Sequence, residues 1–132
     1  LAIEDHPMAS RINMIASSSI DSKTVSQVKE IASQYKTILV FLDSNHTHDH
    51  VLAELEAYAP LVTLNSYCVV FDTIIEDLPA VSFPDRSWEK GNNPKTAVWS
   101  FLEDNTDFEI DTKITDKLLI SVAPDGYLKR IG

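Results

Sequence analysis

Thr37-Ile38-Leu39-Val40-Phe41-Leu42-Asp43 (TILVFLD) is an unbroken apolar and β-branched run closed by a carboxylate, and its reading decides the fold. A run without polar alternation is the pattern of a strand covered on both faces of a parallel sheet. The run Tyr67-Cys68-Val69-Val70-Phe71 repeats the pattern, and Asp72 closes it as Asp43 closes the first. Helical spacing lies between the two. Thr47 is placed to cap a helix in which Val51, Leu52, Leu55 and Tyr58 share one face before Pro60 arrives. A strand, helix, strand order implies adjacent parallel strands joined by a right-handed crossover. Asp43 and Asp72 would then stand at the carboxyl ends of neighbouring strands, on the edge where open α/β sheets bind ligands.

On either side of this unit, the alternation of strand and helix patterns continues and favours an α/β layered fold. Arg11 to Ala16 (RINMIA) is a short strand-like run stopped by Ser17-Ser18-Ser19. Ser22 is placed to cap a helix carrying Val25, Val28, Ile31, Ala32 and Tyr35 on one face. Thr73 to Pro94, with Pro79, Pro84, Gly91, Asn92 and Asn93, reads as a loop of roughly twenty residues, long enough to suggest a functional reason. Lys95 to Glu103 reads as a helix with Ala97, Val98, Phe101 and Leu102 inward. FEIDTKI (residues 108–114) and KLLISVAPDGYLKRI (residues 117–131) read as two closing strands, with turns at Asp116 and at Pro124-Asp125-Gly126.

Composition restricts the partners. The chain has 132 residues, 44% of them apolar and 23% charged, which suits one globular domain with a real core. Its 11 Lys and Arg against 20 Asp and Glu give a formal charge of −9, so phosphate backbones and anionic membranes would be repelled. Nucleic acid is therefore excluded as an expected partner. No apolar stretch approaches the roughly 18 residues of a membrane span, and the start LAIEDHPMAS has no basic leader. Cys68 is the single cysteine, so there is neither an internal disulfide nor a thiolate zinc cage, and a cytoplasmic home is expected.

The chemistry concentrates in Phe41-Leu42-Asp43-Ser44-Asn45-His46-Thr47-His48-Asp49-His50. Two strand-end carboxylates, Asp43 and Asp72, can share a divalent cation through oxygen. They can equally do no more than break their strands and cap the segment after each. His48 and His50 fall in the first turn of the expected helix two residues apart and do not share a face, so one is expected to be solvated. The same geometry opposes a zinc site built from His46, His48 and His50.

LDSNHTHDHVLAEL, APLVTLNSYCVVFDT, GNNPKTAVWSFL and KLLISVAPDGYLKRI, in that order, resemble the cephalosporin hydroxylase and rhamnosyl O-methyltransferase family. The resemblance covers essentially the whole chain. It implies a class I, Rossmann-like methyltransferase sheet, mostly parallel with a final antiparallel hairpin. It further implies metal-assisted O-methyl transfer from S-adenosylmethionine, with Mg at the strand ends and a sugar or glycan hydroxyl as acceptor. Asp43 and His46 match an Asp-x-x-His pattern that supplies a ligand and a general base, and Asp72 matches the acidic ligand of the next strand. Phe71 stands where relatives can carry Glu, which leaves Thr73, water or substrate to fill the shell. Ser17, Ser18 and Ser19 fall where relatives contact the adenine of the donor, or else form a polar loop. Trp88, Asn92 and Asn93 lie in the long loop as an acceptor lid, or as its anchors.

The Gly-rich turn that grips the methyl donor has no counterpart here, since Gly91, Gly126 and Gly132 are the only glycines. The expectation is that residues 1–132 are the C-terminal part of one methyltransferase domain, with its first strands and initiator Met elsewhere. A sheet without those strands has an unpaired edge, so a homo-oligomer is expected. Two other functions compete: a metal-dependent hydrolase using Asp43, Asp72 and His46, and a non-catalytic remnant serving as an interaction module.

Overall fold

A computed structural model describes residues 4–79 and 85–132, so Pro84 of the long loop lies outside the described residues. Among the described residues four strands form one open sheet: β1 (Val40–Leu42), β2 (Tyr67–Val70), β3 (Phe108–Ile110) and β4 (Tyr127–Arg130), in the spatial order β1-β2-β4-β3. β1 and β2 are parallel with Leu42 opposite Val70, while β4 is antiparallel to both β2 and β3. Three strands thus run one way, and β4 is inserted against them.

Among the described residues four helices accompany the sheet: α1 (Ser22–Ala32), α2 (His48–Tyr58), α3 (Pro94–Asp104) and α4 (Thr112–Leu118). α2 and α3 pack against each other and against the strands. From them Val51, Leu55, Tyr58, Ala97, Val98 and Phe101 enter a core shared with Leu42, Cys68, Val70, Phe108 and Leu128. Leu52 and Leu102 are only half-buried at its margin. The rings of Phe101 and Phe108 meet at 5.7 Å, which joins α3 to β3. The turn at Pro124-Asp125-Gly126 forms as its sequence predicts, with Asp125 at φ 62 and Gly126 N–H donating to the Ala123 carbonyl at 3.0 Å. Gly126 lies so close to the Val70 carbonyl that a Cβ would collide with it.

Several expectations are corrected. Arg11 to Ala16 is not a strand: a short 3₁₀ turn occupies Ala9–Arg11, and the residues after it pair with no strand among the described residues. Ile12 and Met14 remain exposed, so no burial holds the run in a sheet. α1 is capped by Asp21 rather than Ser22, its carboxylate accepting from the Lys23 and Thr24 N–H groups, and Tyr35 lies beyond the helix and exposed. TILVFL is not a central strand. β1 keeps only its last three residues and forms the sheet edge among the described residues, with Leu39 48% and Phe41 59% exposed. β2 ends at Val70, one residue before Phe71.

The closing strands exist but are not joined as a tight hairpin. Asp116, expected in a turn, lies inside α4, because Asp111 accepts the Lys113 N–H and starts a helix where the strand was expected to continue. Leu119 and Ile120 come next, outside the sheet and 85% and 91% exposed.

Cys68 is completely enclosed, and burial pushes its thiol up to about 12, with the nearby Glu54 charge adding to the effect. Thiolate is the reactive species. The native protein is therefore expected to react with a thiol-specific disulfide reagent at pH 8 no faster than it unfolds; rapid labelling without denaturant would contradict the burial.

Candidate metal centre

The carboxyl ends of β1 and β2 build the site. The Phe71 N–H donates to the Leu42 carbonyl at 3.0 Å, extending the parallel ladder one step past each strand. Asp43 comes directly after Leu42. Asp72 takes a left-handed conformation, φ 56 and ψ 23, which Asp tolerates better than most residues, and the chain there turns into a 3₁₀ segment at Thr73–Asp77. His46 sits on the connection between Asp43 and α2.

One oxygen each from Asp43 and Asp72 and one nitrogen of His46 all lie within 4.8 Å of one another. His46 Nε2 is 2.9 Å from Asp72 Oδ2 and 3.6 Å from Asp43 Oδ1. That nitrogen is buried and lacks a properly aligned hydrogen bond, despite its short approach to Asp72. Two carboxylates and an imidazole nitrogen converging without satisfying one another form a set that fits a divalent cation.

Trp88 packs edge-on against the His46 imidazole, with ring centres 5.8 Å apart and planes at 81°. The Arg86 guanidinium lies 5.6 Å from the centre of the same indole. Ser44, Asn45, His46, Arg86 and Trp88 line a polar cleft of about 310 Å³ beside the cluster.

Other candidate residues are placed differently. The Thr73 hydroxyl is fully buried and donates to the Pro124 carbonyl at 2.6 Å, so it is not brought into the cluster. Thr47 occupies the N-cap position of α2 without capping it; its hydroxyl donates to Asn45 Oδ1 at 2.9 Å. Asn93 caps α3 through Oδ1 in a reciprocal box with Thr96, and its amide donates to Glu76 Oε2 at 2.6 Å. Asn92 accepts the His48 N–H at 2.9 Å. His48 and His50 are both only partly buried, and each is also tied to another element. His48 Nδ1 lies 2.9 Å from Thr96 Oγ1, and His50 Nε2 lies 3.0 Å from Ser19 Oγ.

A second polar cluster surrounds Ser19, which sequence reasoning did not connect with α2. Ser44 donates to Glu54 Oε1 at 2.6 Å, and the Tyr58 hydroxyl donates to the Ser19 carbonyl. Glu54 is 2% exposed and its Oε2 has no hydrogen-bond partner. Burial and the Glu54 charge raise the Tyr58 hydroxyl above its ordinary range. Ser17, Ser19, Glu54 and Tyr58 line a cleft of about 600 Å³ along the open edge of β1, while Ser18 contributes only its carbonyl, to the Asp21 N–H. The spacing of Glu54 four residues after His50 was the available signal, because such pairs share a helix face.

A third group lies further along the same sheet edge. Lys95 Nζ is 2.6 Å from Asp77 Oδ2 and 3.1 Å from Asp125 Oδ2. Burial alone would lower its pKa, but the bonds to both carboxylates outweigh that and hold it above the ordinary lysine value.

An α/β sheet with two carboxylates and an imidazole gathered at its strand ends is the class that the geometry defines. The chain belongs to the rhamnosyl O-methyltransferase/CmcI family, whose model matches residues 1–131. It is 30% identical over 118 residues to the rhamnosyl O-methyltransferase of Mycobacterium tuberculosis (strain H37Rv), an alignment covering 88% of this chain and 46% of that protein. Against the rhamnosyl O-methyltransferase of Mycobacterium leprae it is 29% identical over 121 residues, 90% of this chain and 50% of the relative. The chain thus spans about half the length of the curated relatives it matches. No solved structure matches it.

Because Asn93 works as a cap, Asn93→Ala is expected to lower stability by about 1–2 kcal/mol, the usual cost of a lost N-cap. Denaturant unfolding measures it, and a divalent-cation thermal shift that survives in the variant separates this role from ligation.

Proposed function

We propose that this chain is the cation- and acceptor-side portion of an S-adenosylmethionine-dependent O-methyltransferase that modifies a sugar hydroxyl. The observation that carries the reading is the convergence of Asp43, His46 and Asp72 at the carboxyl edge of the sheet, in a member of this family. The relatives' name supplies the sugar. The sheet, with β4 antiparallel between strands that run together, is compatible with the class I methyltransferase fold that the resemblance implies.

In this reading Asp43 and Asp72 would hold Mg through their carboxylate oxygens. The cation supplies charge stabilisation for the alkoxide character that develops on the acceptor oxygen. His46, as the neutral imidazole, takes the hydroxyl proton on Nε2, the atom that lacks an aligned partner. The acceptor oxygen gains the methyl carbon as the carbon–sulfur bond of the donor breaks. Trp88 and Arg86 wall the acceptor cleft and restrict water beside the imidazole. Ser17, Ser18 and Ser19 belong to the donor side; the cleft beside Ser17 and Ser19 also holds a reason for a ligand, the orphaned Glu54 Oε2.

Exposed Leu39 and Phe41 on the open edge of β1 support self-association as the quaternary state. A single monomeric boundary in sedimentation at micromolar concentration would remove that part of the reading.

Mg or Mn is expected to raise the melting temperature of the chain, and Asp43→Asn combined with Asp72→Asn is expected to abolish the shift. His46→Gln should lower methyl transfer by about 10²–10⁴-fold, the usual worth of a general base. Calorimetry with S-adenosylmethionine and Mg gives the direct check: no heat with either ligand would favour a non-catalytic interaction module. Ester hydrolysis that needs the cation but no donor would favour a hydrolase.

A further inference from the structure

The residues of the candidate cation site, the two carboxylates and the His46 base, arrive on two separate loops. Asp43 and His46 leave β1 and lead into α2, whereas Asp72 leaves β2 and leads into the Thr73–Asp77 turn. A third segment, Ser87 to Asn93, grips both. Asn92 Oδ1 accepts the His48 N–H at 2.9 Å, and Asn92 Nδ2 donates to the Ser87 carbonyl at 3.0 Å. The Thr47 hydroxyl is committed to Asn45, so this amide supplies the side-chain acceptor that α2 lacks locally at its first N–H. On the far side, Glu76 Oε2 accepts from the Gly91 N–H at 2.8 Å and from Asn93 Nδ2 at 2.6 Å. Between these grips, Glu89 and Asn92 exchange backbone bonds of 3.0 and 2.9 Å, with Gly91 at φ 85 making the reversal possible.

We propose that Asn92 is a positioning residue for the cation site and for Trp88. Its single amide fixes the start of α2, two residues past His46, and holds the residue before Trp88. The imidazole is thereby set relative to Asp72, and the indole is kept against the imidazole. Glu76 anchors the same turn from the Asp72 side. Ligands on independent loops would have to be ordered when a cation binds, and a clasp that orders them beforehand removes that cost from the binding equilibrium. Outer partners of metal ligands commonly change affinity by about 10–100-fold for this reason. The affinity part rests on the cation reading above; the Trp88 part does not.

Trp99→Phe leaves Trp88 as the sole tryptophan, since the chain has two. In that background the full chain is titrated with Mn by calorimetry, and Trp88 emission is recorded with and without the cation. Asn92→Ala is expected to weaken Mn affinity by at least about tenfold and to shift Trp88 emission to the red as the loop is released. Asn92→Asp keeps an acceptor for the His48 N–H but loses the donor to Ser87. It is expected to retain or tighten Mn affinity while still releasing Trp88. Folded Asn92→Ala with unchanged affinity and unchanged emission overturns the proposal. Should that variant not fold, an Asn92→Asp chain whose Trp88 emission matches the parent overturns it equally. A parent that binds no Mn removes the cation reading alone, and the cation-free emission of the two variants then decides whether Asn92 holds Trp88.

Discussion

The site depends on the register between β1 and β2. Leu42 stands opposite Val70, and the Phe71 N–H reaches back to the Leu42 carbonyl, so Asp43 and Phe71 are the next pair in line. Alternation sends Leu42, Cys68 and Val70 into the core, while Phe41, and by the same alternation Asp43 and Phe71, belong to the other face. Strict alternation would return Asp72 to the core face. The left-handed turn at Asp72 breaks it instead, at a cost of about 1–2 kcal/mol for an ordinary residue, and brings the carboxylate to 2.9 Å from His46. A one-residue slip of register would exchange the two faces and disperse the cluster.

Around that register lies a polar scaffold in which α2 is the common member. His48 ties it to α3, Asn92 ties its start to the long loop, and His50 with Tyr58 ties it to Ser19. Ser19, His50 and Glu54 have the residue types of a nucleophile triad. Their geometry does not serve as one, because His50 uses the same nitrogen, Nε2, toward Ser19 at 3.0 Å and toward Glu54 at 3.7 Å. An imidazole works as the base of such a triad only when the nucleophile and the orienting carboxylate sit on different nitrogens. The cluster forms part of the wall of the cleft beside β1, with one buried oxygen, Glu54 Oε2, left over.

Strong local patterns were legible. The periodicity of α2 and α3, the strand cores at Val40–Leu42 and Tyr67–Val70, and the Pro124-Asp125-Gly126 turn arise from side-chain spacing and turn chemistry. Features that depended on partners were not. TILVFL reads as a doubly covered strand because nothing in an apolar run says whether a neighbour is present on both sides, and RINMIA reads as a strand for the same reason. FEIDTKI hides a helix start, since Asp111 serves equally well in a strand end and in a cap. At the site, the proximity of Asp43 and Asp72 was inferred from topology, whereas the ties from His48, His50 and Asn92 span long sequence separations and left no local trace.

Phe71 gives the charge balance its meaning. Where an acidic residue can stand in relatives, this chain places a ring 6.1 Å from that of Phe41, so the edge gains an aromatic contact and the cluster carries only two carboxylates. With a neutral imidazole, those two charges would be balanced by one divalent cation in the proposed reaction. The replacement that looked like the loss of a ligand is therefore compatible with cation binding, provided water or the acceptor oxygen completes the coordination. The proposed clasp through Asn92 would then have a clear physical task, because a site with fewer anchoring charges relies more on groups already held in place.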